Sequence, residues 1–326
     1  MEHLIENFAG QVEEAMAIGK DFKFTGEKRT FKSVVICGLG GSGIGGSFLH
    51  DFAYAQVAVP IITVKGYALP AHVDKDTLVI ISSYSGNTEE TLQCFEEALV
   101  RKATICGVSS NGKVKAICEK EGLDCVLIPG GNPPRASFGY SFTQLFYILH
   151  YYGLVDNSFE SDLNHAIQAL NTEKDDIKSK ARVLAEQVYE KIPVLYSADN
   201  IASITVRWRQ QINENGKQLC WHHVVPEMNH NEIVGWREEN DKLAVIFLRN
   251  DDDHVQVAKR MDLNKVVYQK YTPHIFEVWS KGNSFIERGL YLVNFGDWVS
   301  LYLSELRGFD VTEVKVIDEL KANLAK

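Results

Sequence analysis

The chain lacks an excess of positive charge: 34 lysines and arginines stand against 43 aspartates and glutamates, for a formal net charge of −9. A basic footprint for nucleic acid is therefore not expected, and any anionic ligand has to be held by a local site. The six cysteines, at 37, 94, 106, 118, 125 and 220, contain no C-x-x-C pair. Several fall inside apolar patterns, so reduced, buried thiols are expected. No apolar run is long enough to span a bilayer. The start, from Met1 to Asn7, is acidic and lacks the basic-then-apolar pattern of a signal peptide, which makes the cytoplasm the expected location. G-x-x-x-x-G-K-[ST] and H-E-x-x-H are both missing, so neither a triphosphate P-loop nor a metalloprotease-type zinc site is expected. His222 and His223 are strand neighbours that point to opposite faces, and no carboxylate spacing completes a metal set with them.

What is present is a soluble-type composition, 45% hydrophobic and 24% charged, over 326 residues. That length exceeds what one core usually serves and predicts two domains. The expected division is 1–153 and 154–326. Residues 33–47 run from an apolar stretch into a glycine-rich turn, with glycines at 38, 40, 41, 43, 45 and 46, and then into an amphipathic segment. Strand, loop and helix N-terminus in that order form an anion site, because unpaired N–H groups and the helix dipole both favour negative charge.

From residue 31 to about 152, short apolar strands (34–37, 61–64, 78–82, 104–108 and 125–128) alternate with helical patterns (43–54, 88–102, 112–121 and 139–152). An N-terminal helix precedes them. This predicts an α/β fold with a parallel sheet covered by helices on both faces. After a polar stretch at 156–180 the plan repeats more weakly, with strands at 192–198, 243–248 and 274–279 and helices at 200–216, 253–262, 283–307 and 312–324. Two such halves would place a ligand near the carboxyl ends of the strands. Asp251, Asp252 and Asp253 read as a solvated turn and helix start.

At the end of the strand 78–82 comes a second turn, Ser83 to Thr88, rich in hydroxyls. Ser83, Ser85 and Thr88 can donate to phosphate oxygens, Gly86 lets the backbone turn, and Thr88 stands where an N-cap belongs. The plain alternative is an N-cap turn with no ligand. For the first loop the competitor is a dinucleotide site, which wants an acid about 20 residues on. The second strand ends at Val64, Lys65 and Gly66 instead; a lysine could meet a 2′-phosphate, so NADP is weakened less than NAD.

With both loops in place, the chain resembles the sugar isomerase (SIS) domain proteins, and more closely the bifunctional phosphoglucose/phosphomannose isomerases of the phosphoglucose isomerase superfamily. The likeness extends from Gly38 to the C-terminal helix. It includes Pro133-Pro134-Arg135, the segment Gln211 to Asn215 around Glu214, the segment Pro226 to Glu232 around His230, and the tail from Ile317 to Lys321.

The resemblance implies two SIS-type subdomains and interconversion of glucose 6-phosphate or mannose 6-phosphate with fructose 6-phosphate through a cis-enediol, with no metal or organic cofactor. It assigns phosphate binding to Gly41, Ser42, Ser83, Ser85 and Thr88, and the C1–C2 proton transfer to Glu214. A carboxylate poised near neutral pH suits that step. Ring opening falls to His230 and Lys321, with Lys315 the alternative lysine. Arg135, stiffened by two prolines, would stabilise the enediolate charge. In this superfamily the histidine comes from the neighbouring subunit, so a homodimer is implied. On the residues alone, Glu214 ends a helical pattern where solvent exposure is ordinary, His230 reads as a loop histidine, and Lys321 as a solvated lysine. The rivals are a non-catalytic sugar-phosphate sensor, which has no need of Glu214, His230 and Lys321 together, and an NADP-dependent oxidoreductase.

Overall fold

The apolar runs become strands because they are short, β-branched and bounded by glycine or polar turns. The computed structural model describes residues 1–324. Helices α1 (Glu2–Glu6) and α2 (Phe8–Asp21) lead into β1 (Ser33–Cys37), α3 (Gly40–Ala53), β2 (Ile61–Val64), β3 (Thr77–Ser82), α4 (Glu89–Val100), β4 (Thr104–Ser109), α5 (Gly112–Glu121), β5 (Cys125–Leu127) and α6 (Phe138–Tyr151). There follow α7 (Ser158–Val188), β6 (Ile192–Ala198), α8 (Ala202–Glu214), β7 (Trp221–Val225), β8 (Leu243–Arg249), α9 (Val255–Tyr268), β9 (Ile275–Trp279), α10 (Phe285–Leu306) and α11 (Lys315–Leu324).

The chain forms two compact units. One, the N-terminal unit, comprises Glu6–Asn171 and Gly282–Leu290; the other, the C-terminal unit, comprises Met1–Ile5, Thr172–Lys281 and the chain from Tyr291 onward. Gly282–Leu290 belongs with the N-terminal unit through Phe285, whose ring packs on Phe48 and Phe52 at centroid distances of 5.3 and 6.0 Å.

The N-terminal unit carries a five-stranded, all-parallel sheet in the order β2-β1-β3-β4-β5. Every residue of β1 and β3 is buried, as expected of central strands covered on both faces. On one face Val35, Val79 and Ile81 pack with Cys94, Phe95 and Ala98 of α4. The opposite side of the core is aromatic: Phe142 of α6 meets Phe48 of α3 at 4.7 Å and Phe146 at 5.0 Å. Truncating such a ring to alanine costs about 3–5 kcal/mol. Because the chain leaves β1 toward β2 on one side and takes up β3 on the other, a crevice opens beyond the carboxyl ends of β1 and β3.

The C-terminal unit repeats the plan with four parallel strands in the order β7-β6-β8-β9, so its switch point lies beyond β6 and β8. Its core gathers Tyr196, Val245, Phe247, Met261 and Tyr268. No helix among the described residues is long and apolar enough to cross a membrane.

Candidate functional site

Both predicted phosphate loops lie at the N-terminal unit's switch point, and they touch. Ser42, in the first turn of α3, accepts a hydrogen bond on Oγ from the Tyr84 N–H at 3.1 Å. Gly41 lies against the third predicted segment: a Cβ there would stand 2.7 Å from the Pro134 carbonyl oxygen and 3.5 Å from the Arg135 Cα. Arg135, on a 3-10 turn at Pro134–Ala136, is buried at 5% exposure. The structure thus brings Gly41, Ser42, Ser83, Ser85, Thr88 and Arg135 onto three adjoining segments of one unit.

Within the second loop the hydroxyls are arranged for something other than capping. Thr88 is the N-cap of α4 but makes no side-chain cap bond. Its hydroxyl instead shares a 3.0 Å hydrogen bond with Ser83 Oγ. The α4 N-terminus therefore keeps first-turn N–H groups that no cap side chain satisfies, which is the arrangement an anion completes. Ser83 is buried, Ser85 is exposed, and Ser85 Oγ accepts from the Asn87 N–H at 3.3 Å. Gly86 has φ +68, and a Cβ there would fall 1.7 Å from the Asn111 carbonyl oxygen. Only glycine fits where the loop crosses this backbone.

Tyr84 is the residue that reading the sequence missed. Its N–H meets Ser42, its carbonyl accepts from Ser110 Oγ at 2.7 Å, and its hydroxyl accepts from the Asn132 N–H at 3.0 Å. One buried side chain and its backbone thus register the loops after β1, β3 and β4 and the segment before Arg135. The only signal was a large aromatic placed among small hydroxyls. Lys65, weighed as a 2′-phosphate partner, donates to Ser47 Oγ at 2.9 Å on α3.

The remaining predicted residues belong to the C-terminal unit. Glu214 is half-buried and ends α8. Most of its motif serves to fix that helix: Gln211 Nε2 donates to Asp297 at 2.8 Å and Asn215 Nδ2 to Ser300 Oγ at 3.0 Å, both on α10. Arg207 completes the buried cluster with a 2.6 Å ion pair to Asp297. Burial pushes the Asp297 acid up, opposed by the Arg207 charge and the bonds from Arg207 and Gln211. Lys217 is a second residue the sequence did not reveal; its ammonium donates to the carbonyls of Glu214, at 2.6 Å, and Glu313. It ties the end of α8 to the segment that starts α11, so Glu214 and the lysine-bearing helix are neighbours at their backbones.

Lys315 and Lys321 are both exposed on α11, which buries none of its own side chains. His230 is exposed at the end of a 3-10 turn, Glu227–His230, that follows β7. A cavity of about 710 Å³ in this unit, lined by Tyr196, Trp221, Glu232 and Trp236 among others, includes none of the predicted residues. The aspartate run also departs from expectation. His254 caps α9 and the helix starts at Val255, while Asp253 folds back to accept the Asn250 N–H at 3.1 Å and is only partly exposed. Burial pushes its acid up to about 6.

Comparison with known proteins follows the same lines. Residues 177–324 match the bacterial phospho-glucose isomerase C-terminal SIS domain. Over 99% of its length the chain is 38% identical to a bifunctional phosphoglucose/phosphomannose isomerase of Caldicellulosiruptor bescii, covering 98% of that protein. It is also 38% identical to the Aquifex aeolicus protein of the same name, over 91% of each chain. Among solved structures, the C-terminal domain of glucosamine-fructose-6-phosphate aminotransferase from Francisella tularensis superposes with a TM-score of 0.76 at 12% identity, covering 95% of this chain and 97% of that one, a likeness of fold alone. Near-complete coverage at 38% identity, joined to paired SIS-type sheets with the hydroxyl loop after β3, places the chain in the bifunctional phosphoglucose/phosphomannose isomerase family.

Proposed function

We propose that the protein interconverts glucose 6-phosphate and mannose 6-phosphate with fructose 6-phosphate. The observation that carries this reading is the Ser83–Thr88 loop, in which Thr88 pairs with Ser83 and leaves the α4 N-terminus uncapped. A site with that many hydroxyls and no P-loop lysine suits one phosphate monoester. The related bifunctional phosphoglucose/phosphomannose isomerases supply the sugar.

In this reading Gly41, Ser42, Ser83, Ser85 and Thr88 anchor the phosphate and so fix the register of the carbon chain. His230 and Lys321 open the ring by moving the C1 hydroxyl proton to the ring oxygen. Glu214 then carries a proton between C2 and C1. Both aldoses lose the C2 configuration in the planar cis-enediol, and therefore one site can serve both. Arg135 offsets the negative charge that develops on the enediolate oxygens. The enzyme works in the cytoplasm as a homodimer, with His230 contributed by the neighbouring subunit.

The test is formation of fructose 6-phosphate from each aldose, measured with chelator present. Glu214→Gln should lower kcat by about 10²–10⁴-fold, the usual worth of a positioned acid or base. Mixing Glu214→Gln with His230→Ala subunits should restore part of the activity, which a site built within one subunit does not allow. Folded protein that binds phosphosugar but turns over neither aldose would reduce the reading to a sensor.

A further inference from the structure

Apart from the residues assigned to the sugar, one side-chain cluster in the N-terminal unit has the make-up of a cation site. Asp162 and His165 are three residues apart on α7 and so share a face of that helix. Glu287 stands in the first turn of α10. One ligand atom from each of the three lies within 4.8 Å of the other two, and His165 Nδ1 is 4.0 Å from Glu287 Oε1. The side chains grade from inside to outside: Glu287 is 6% exposed, Asp162 is partly buried, and His165 is 58% exposed. The outer face is thus left to water.

Glu287 is rigidly held. Its two oxygens accept the N–H groups of Asn283 and Ser284, each at 3.2 Å, and its own N–H donates to Ser284 Oγ at 3.2 Å. This capping box uses one acceptor position on each oxygen and leaves the others open. The cap also reaches Asp162, through a hydrogen bond with the Ser284 side chain. It does not account for the imidazole of His165, whose Nδ1 lies 4.0 Å from Glu287 Oε1.

We propose that Asp162, His165 and Glu287 bind one divalent ion of the zinc or cobalt class, pinning α7 to the first turn of α10. The imidazole decides the class, because magnesium and calcium take oxygen ligands whereas borderline ions accept a nitrogen beside carboxylates. With bonds of about 2.0–2.2 Å, tetrahedral ligand atoms stand roughly 3.4 Å apart. The 4.0 Å gap between His165 and Glu287 therefore closes by rotation of an exposed ring. Two carboxylates, one imidazole and water complete four ligands. The role is structural, since none of the three is a residue given to the isomerisation.

The full chain, stripped with chelator, is titrated with Co²⁺ and then Zn²⁺. The expected result is one saturable ion per chain, with visible d–d absorption for cobalt that zinc abolishes, and a higher unfolding midpoint on zinc addition. His165→Ala removes an exposed side chain and leaves the core intact, and it should weaken binding by about 100-fold or more, beyond the effect of losing an outer-shell partner. His165→Cys should restore binding and add a thiolate-to-cobalt charge-transfer band, a signature that a merely structural histidine does not produce. Wild-type protein with no saturable binding, or equal binding by His165→Ala, overturns the proposal.

Discussion

Gly86→Ala tests whether the second loop works through close backbone approach. The new Cβ would stand 1.7 Å from the Asn111 carbonyl oxygen and 2.8 Å from both the Asn111 carbonyl carbon and Ser109 Oγ. Ordinary contact requires these atoms to part by about 1.5 Å. The φ of +68 adds about 1–2 kcal/mol of strain for an L side chain. A loop displaced that far cannot keep its donors within hydrogen-bond distance of a phosphate. Losing two charge-assisted bonds of about 1.5–3 kcal/mol each lowers kcat/KM by roughly 10²–10⁴-fold. Gly40→Ala is the control, because Gly40 also has positive φ (+51) yet its Cβ would meet nothing within 4 Å. It should bear the strain of about 1–2 kcal/mol in stability while kcat/KM stays within about threefold. The assay is steady-state kinetics with glucose 6-phosphate, beside inorganic phosphate as a competitive inhibitor and circular dichroism to establish folding. If folded Gly86→Ala keeps its KM and its phosphate inhibition, the loop does not hold the phosphate.

Two further outcomes follow from buried charge in the C-terminal unit. Asp297→Asn leaves Arg207 buried, at 3% exposure, without its 2.6 Å counter-ion, and should destabilise by about 3–5 kcal/mol in urea unfolding. It should also lower kcat through loss of the α8 anchor, whereas a loss below about 1 kcal/mol would remove the cluster from any positioning role. Asp253 has a folded pKa of about 6 against roughly 3.9 unfolded, so the folded state holds the proton more tightly. Its contribution is therefore most favourable below pH 4, is lost progressively as pH rises from about 4 to 6, and stays low above that. The difference corresponds to at most about 3 kcal/mol, and solvent screening brings it nearer 1–2. Asp253→Asn should stabilise by that amount at pH 7.5 and by nothing measurable at pH 4. An equal gain at both values would show that the effect is not electrostatic.

Much of the architecture was legible because it is local. β-Branched runs bounded by turns predicted strands at 34–37 and 61–64, and strands stand at Ser33–Cys37 and Ile61–Val64. The glycine loop and the hydroxyl loop announced themselves by composition. The sequence could not separate Thr88 the cap from Thr88 the partner of Ser83, since both place a hydroxyl at the same position and differ only in its rotamer. Nor could it separate a surface Arg135 from a buried one, because that depends on α3 lying alongside Pro134. In the aspartate run, charge pattern favoured three solvated acids, and the Asn250 turn instead draws Asp253 inward.

By itself, then, the sequence determined the alternation of strands and helices, the parallel sheets and the two loops, since these rest on periodicity, turn chemistry and the steric freedom of glycine. Only the tertiary structure decided which polar groups meet: Tyr84 joining three loops, Lys217 tying α8 to the start of α11, and Asp162 and His165 facing Glu287 across more than 120 residues of chain. Such pairings depend on how distant elements pack, and a residue's neighbours in sequence carry no record of them.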